Sequence, residues 1–348
     1  MSEDTSRRAL VFTAPSMVEV RQEPLPAPGA GEVLVATRLS AISAGTELMI
    51  YRGLAPSGMA ADASLLSLPG TLAFPLKYGY AAIGQILRVG DGVDRSRVGG
   101  LVFAFQPHQT HFVAPVAETI ALPADMPVER GVFLPSAETA VNLVHDGRPL
   151  VGEKVVVFGQ GVVGLLTTAL LAAMPLATVA TLDRHARRRQ ASLALGAQVA
   201  LDPSAADISD RLTLALAEPA PPGADLTFEL SGDPATLDQA LRASGFDGRI
   251  VIGSWYGEKR AALDLGGEFH RSRIRLVSSQ VSTLAPELRG RWTGTRRLAF
   301  ALSFLNEIEP EGLITHRVPF EDAAKAYRLL ADHPEQALQV VLTYPEST

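Results

Sequence analysis

The chain has no cysteine. That excludes disulfides, thiolate zinc sites and cysteine nucleophiles, and it leaves the redox compartment undetermined. Basic charge is scarce as well. A net charge of −6 over 348 residues offers no basic field to nucleic acid or to an anionic membrane. The N-terminal MSEDTSRRAL lacks an apolar signal region, so a cytoplasmic protein is expected. Internal repeats and coiled-coil heptads are missing. Residues 161–182 carry no charge and have the length of a membrane span, but Pro175, the threonines and the glycines of that stretch read as a buried helix plus strand.

What is present fits a globular chain long enough for two domains, with 47% apolar and 20% charged residues. Residues 154–183 organise it. Val155 to Phe158 form a β-branched and aromatic run suited to a buried parallel strand. Gly159, Gly161 and Gly164 follow as G-x-G-x-x-G, then an apolar run of helical length from Val162 to Ala173. A second strand-like run, Thr178 to Leu182, ends on Asp183. Strand, glycine turn, helix, strand and acid is the order of a dinucleotide site. Gly159 permits the turn, Gly161 lets backbone approach a pyrophosphate, and Gly164 lets the helix pack on the strand. The first amides of the helix, at Val162 and Val163, face the phosphates. Asp183 accepts from the adenosine ribose and repels a 2′-phosphate, which favours NAD, while Arg184 keeps NADP open. The alternative is a strand–helix–strand unit whose glycines serve packing alone.

Before this segment the chain is β-rich with frequent Pro/Gly turns: Ala9 to Thr13, Val18 to Arg21, Val33 to Ser43, Ala82 to Val89 and Val98 to Phe105 read as strands. A helix is predicted from Val128 to His145. After it, strands at 199–201, 226–230, 249–252 and 275–281 alternate with helices, bringing the doubly wound sheet to about six strands. The segments after Ser282 have no place in a finished sheet and are assigned back to the first domain. By the same sheet logic Ser231, Gly253, Ser254, Trp255, Ser279 and Gln280 border the nicotinamide.

The chain resembles the medium-chain dehydrogenase/reductase superfamily, of the zinc-type alcohol dehydrogenase kind. Ala44-Gly45-Thr46-Glu47-Leu48-Met49-Ile50-Tyr51-Arg52-Gly53 is similar to that family's C-G-T-D-x-H-x-Y-x-G. Tyr78-Gly79-Tyr80-Ala81 with Gly84 stands at its G-H-E-x-x-G, and Leu134 to Val144 is similar to the segment that supplies a third zinc ligand. The resemblance implies an α/β protein in which a GroES-like β-barrel catalytic domain (1–147 and 286–348) is split around a doubly wound Rossmann domain (148–285), with substrate and nicotinamide in the cleft. It also implies a homodimer. The departures are informative. Ala44 replaces the first zinc ligand, Tyr80 the second and Ala81 the following Glu. The third ligand falls at Pro135 or Ser136, and the four-cysteine structural lobe is absent. The reading is therefore a zinc-independent member with no metal site. The GTE and GY variants also look like the bacteriochlorophyllide dehydrogenase branch, a partial likeness from which the pigment substrate is not carried over.

Without zinc, side chains must stabilise the developing oxyanion. Tyr80 is the candidate donor, or else a packing residue of the wall. Thr46 orients the substrate oxygen, or else caps local backbone. Glu47 is a base, or orients Thr46 or a backbone group. Glu138, inside an apolar helical stretch, is a site carboxylate or a paired one. His108 and His111, as H-x-x-H, bind metal only across a bend and otherwise line a polar core. The expected function is hydride transfer between NAD(P) and an alcohol/carbonyl pair. A quinone or enone (C=C) reductase and a catalytically silent nucleotide sensor are the alternatives. The expected partner is a small molecule. Arg271, Arg273, Arg289, Arg291 and Arg296 suit an anionic one, or else form a solvated basic face.

Overall fold

The computed structural model describes residues 6–62 and 64–345. Residues 1–5 of the expected signal-free N-terminus and Ala63 lie outside them. The chain divides into two compact units, 1–135 with 305–348 and 136–304.

In the first unit β1 (Ser6–Ala14) and β2 (Met17–Pro24) form an antiparallel hairpin. The strands β3 (Glu32–Ile42), β4 (Ala82–Val89), β5 (Leu101–Ala104), β6 (His111–Pro115) and β7 (Thr119–Ala121) follow. A short helix, α1 (Thr46–Tyr51), leaves β3 through the Ala44-Gly45 corner. β3 is almost wholly buried because it pairs on several sides: with β4, with β6 and with a strand from the end of the chain. Its core is apolar, built on Val33, Val35, Ile86, Val102 and Phe112.

The helix expected over 128–145 is two helices, α2 (Val128–Gly131) and α3 (Leu134–Gly147). Pro135 explains the break. It has no N–H to give, and its ring would clash with the carbonyl four residues back, at Gly131.

In the second unit six parallel strands are ordered β10-β9-β8-β11-β12-β13, where β8 is Lys154–Phe158, β9 Thr178–Leu182, β10 Val199–Leu201, β11 Ala224–Glu229, β12 Ser244–Ile252 and β13 Arg275–Ser278. The helices α4 (Val162–Ala172), α5 (Ala186–Ala194), α6 (Ile208–Ala215), α7 (Thr236–Ala243) and α8 (Glu268–Arg271) connect them. All five residues of β8 are buried, as a strand covered on both faces requires. Each apolar side chain so buried contributes about 1.5–3 kcal/mol. Strand order reverses between β8 and β11, which places a crevice at their C-terminal ends. Of the strands expected here, 275–281 is shorter, because beyond Ser278 the chain turns along Gln280-Val281-Ser282.

α9 (Gly294–Ile308) runs through the second boundary between units, so both boundaries lie outside the 148–285 expected for the Rossmann domain. β14 (Ile314–Pro319), α10 (Ala323–Asp332) and β15 (Gln339–Thr343) then return to the first unit. β15 pairs with both β14 and β3 and completes the first unit's larger sheet.

Candidate active site

The glycine turn follows β8 at the strand-order reversal. Gly159 has φ +88°, and a Cβ there would meet the backbone of Leu230 and Ser231 at 2.6 Å. A Cβ on Gly164 would lie 2.0 Å from the Gly159 carbonyl. These two glycines are required by the protein's own backbone. Gly161 differs: nothing lies within 4 Å of the position its Cβ would take. Among the described residues no side chain caps the N-terminus of α4. The first-turn amides of Val162 and Val163 therefore have no intrahelical acceptor and no cap, beside open space, as an anion site needs.

Asp183, buried at the end of β9, holds this turn. Its Oδ2 accepts from the Gln160 amide and its Oδ1 from the His185 amide, both at 2.8 Å. A carboxylate has about four acceptor sites, so capacity for a ribose hydroxyl remains. Arg188 lies 3.7 Å from Asp183, and Arg184 pairs with Asp233. Ser231 donates to Glu229, while Ser254 Oγ accepts from the Gly232 amide. Ser279 accepts from Asn142. Gln280 accepts from the Ser282 amide, and Gly253 is confined by Leu143 and Leu230. Trp255, in the irregular segment after β12, is half-buried. Sequence reasoning passed over Glu229. It is fully buried and takes hydrogen bonds from Ser231, both side chain and amide, and from the Tyr256 hydroxyl.

In the first unit Tyr80 and Thr46 are half-buried and Ala44 is exposed. The Tyr80 phenol is pushed above its ordinary value, chiefly by burial and further by the charge of Glu47. Hydrogen bonding with the Ser43 and Thr46 hydroxyls partly offsets this. Tyr78 packs edge-on against the Tyr80 ring, with centroids 6.1 Å apart. The result is a cluster of three hydroxyls, all neutral at pH 7.

Glu47 does not have the access a base needs. It is 0% exposed. Its Oε1 accepts from the Ser43 amide at 2.8 Å, and its Oε2 from His108 Nε2 at 3.0 Å and from the Tyr327 hydroxyl. Its carboxylate is occupied by backbone and side-chain donors of the first unit. Glu138 is also buried, and Arg297 donates to its Oε1 from Nε at 3.0 Å and from Nη2 at 2.9 Å. Burial pushes its carboxyl up, against the pull of Arg297. His108 and His111 do not converge: His108 is fully buried, while His111 opens β6 and contacts Thr110. Among the described residues no three His, Cys, Asp or Glu are grouped to hold a metal. Arg289 and Arg296 bond the backbone carbonyls of Leu284 and Arg291, and Arg296 also stacks on Trp292, with its guanidinium carbon 4.2 Å from the ring centroid. Among the described residues no helix is long and apolar enough to cross a membrane.

Residues 162–298 match the model of the zinc-binding dehydrogenase family. D-guloside 3-dehydrogenase of Escherichia coli (strain K12) is 25% identical over 357 residues, covering 97% of this chain and all of that protein. Along these spans the chain is similar to zinc-binding dehydrogenases, and it is an NAD(P)-dependent oxidoreductase. Two solved structures give the same fold. 2R,3R-butanediol dehydrogenase from Bacillus subtilis superposes with a TM-score of 0.79 at 19% identity, over 98% of this chain and 100% of that one. A short chain alcohol dehydrogenase (rspB) from E. coli CFT073, complexed with NADH, gives 0.77 at 20%, over 97% and 99%. The α/β architecture is thus a GroES-like barrel with a Rossmann sheet.

Proposed function

We propose that this dehydrogenase interconverts a small-molecule alcohol and its carbonyl, without zinc, and that Tyr80 and Thr46 are its oxyanion donors. The observation that carries the reading is the group of hydroxyls of Tyr80, Thr46 and Ser43, with Tyr80 standing where the resemblance puts a zinc ligand. Ala44 offers a methyl group in place of a thiolate. A phenol kept protonated by burial is a poor ligand for a divalent cation. This donor set does not fit zinc, and the reaction is derived without it.

The residues that fit a dinucleotide are Gly159, Gly161 and Gly164, the Val162 and Val163 amides, and Asp183. A nicotinamide held there supplies or takes the hydride. Tyr80 donates its O–H to the substrate oxygen as negative charge develops on it. The raised phenol keeps that proton in place at neutral pH, so Tyr80 acts as a hydrogen-bond donor more readily than as an acid. Thr46 donates to the same oxygen and fixes its direction. Glu138, closed by Arg297, keeps α3 in place. D-guloside and butanediol dehydrogenases are named for hydroxyl-bearing substrates, which supports alcohol/carbonyl over C=C chemistry.

Stopped-flow oxidation of NADH with a panel of ketoses, ketones, aldehydes and enones tests this. Ketones or aldehydes react, and Tyr80→Phe slows hydride transfer about 100- to 1000-fold while leaving NADH affinity unchanged. Turnover confined to enones refutes the carbonyl reading, and stoichiometric zinc in the active protein refutes the metal-free one.

A further inference from the structure

We propose that His108 is a positioning residue for Tyr80, holding the phenol's backbone and the phenol's hydroxyl partners through a single buried imidazole. The inference rests on the role assigned above to Tyr80. His108 lies in the loop between β5 and β6 and is 0% exposed, so it cannot touch substrate.

Two routes lead from its ring to Tyr80. The first is contact. Gly79 has φ +116°, and a Cβ there would lie 2.7 Å from His108 Cδ2 and 2.8 Å from Nε2. The imidazole therefore packs on the backbone immediately before Tyr80, and only glycine leaves room for it. The second route is hydrogen bonding. His108 Nε2 donates to Glu47, whose other oxygen accepts from the Ser43 amide. Ser43 and Thr46, at the two ends of this corner, carry hydroxyls that draw the Tyr80 phenol down against its burial.

The tautomer follows from donor and acceptor counting. An ionised carboxylate only accepts, so Nε2 carries the proton toward Glu47. In the neutral ring Nδ1 then accepts from the Ser40 hydroxyl at 2.7 Å, and Ser40 accepts from the Tyr344 hydroxyl at 2.8 Å. Every polar atom of the chain from Tyr344 to Glu47 is satisfied without a second charge. The main chain of His108 is fixed too: its carbonyl accepts from the Leu10 amide at 2.9 Å. A ring anchored at both nitrogens and pressed on Gly79 leaves the 78–80 segment one place to stand. Glu47 and Asp62 are the charged groups that act on the Tyr80 phenol, and Glu47 is the one His108 holds.

The test uses full-length protein carrying tyrosine labelled with carbon-13 at Cζ, with the Tyr80 resonance assigned by its loss in Tyr80→Phe. His108→Leu shifts or broadens that resonance and leaves Tyr256, in the other unit, unmoved. His108→Gln, which can still donate to Glu47, restores much of the parent position. Hydride transfer to the best carbonyl substrate falls about 100-fold in His108→Leu, with NADH affinity unchanged and partial recovery in His108→Gln. Should His108→Leu not fold, Ser40→Ala, which removes only the Nδ1 partner, takes its place with a smaller shift expected. A Tyr80 resonance unchanged in every folded variant overturns the proposal. If the resonance moves while the parent protein turns over no carbonyl, positioning stands and the functional reading falls.

Discussion

Each unit buries one carboxylate that its sequence context marked as reactive, and the two are stabilised in opposite ways. Glu47 is 0% exposed and Glu138 is 7% exposed. Glu47 is held by three donors, the Ser43 amide, His108 and Tyr327, none carrying a permanent charge. Glu138 faces a guanidinium that is always charged. The first arrangement solvates a negative charge without cancelling it, so its field still reaches Tyr80. The second cancels the charge where it stands. Burial alone therefore does not distinguish a carboxylate that shapes a reacting group from one that ties helices together. The partner does.

The largest effect expected from breaking this comparison is at Arg297. Its guanidinium also bonds Asn142 and the carbonyls of Val281 and Thr283, joining α3, the turn after β13 and α9. Arg297→Met leaves Glu138 buried and unpaired, with a cost of about 3–5 kcal/mol. Urea denaturation followed by far-UV circular dichroism measures it. Double replacement, Glu138→Leu with Arg297→Met, recovers most of the loss if charge burial is its cause. Glu47→Gln comes next. The amide keeps the shape but turns an NH2 toward His108 or Tyr327, donor against donor, at a cost of about 1–3 kcal/mol. The same substitution removes the charge that adds to burial in raising the Tyr80 phenol, so the Tyr80 titration moves to lower pH. Arg297→Met leaves that titration unchanged, and this contrast is the sharper result.

What the sequence makes legible is what is local. The glycine turn, its helix and Asp183 lie within one strand–helix–strand unit, and short-range spacing dictates them. The break between α2 and α3 was available from Pro135, because proline's missing donor acts within one turn. The Glu47 network was not available. His108, Tyr327 and Tyr344 join it across 61, 280 and 304 residues, respectively. Only the closure of the first unit's sheet by β15 brings such residues together. The H-x-x-H spacing allowed a metal only across a bend and otherwise a polar core, but it could not name Glu47 and Ser40 as the partners that His108 finds. Glu138 illustrates the same limit: its unusual place in an apolar helix was visible, but Arg297 lies 159 residues away.

The smallest effect expected concerns how far the fixed cation of the second unit reaches. His145, on α3, packs against Trp292 with ring centroids 4.2 Å apart, and among the described residues its Nδ1 has no hydrogen-bond partner. Its imidazole is pushed down to about 4 by burial first, then by the charges of Arg297, Arg291 and Arg296. The sign follows from linkage. In the unfolded chain the ring takes a proton near 6.5, so between that value and about 4 the unfolded state binds more protons. His145 thus contributes stability above pH 6.5 that is lost as pH falls toward 4. Because the ring is only half-buried, solvent screening reduces the contribution to about 1–2 kcal/mol. His145→Phe keeps an aromatic ring on Trp292 and removes the titration. Urea midpoints measured at pH 7.5 and at pH 4.5 should therefore fall less in the variant than in the parent. Equal loss in both would mean that neither burial nor the charges of Arg297, Arg291 and Arg296 hold the His145 imidazole down, and the contrast between the two carboxylates would then end at their own partners.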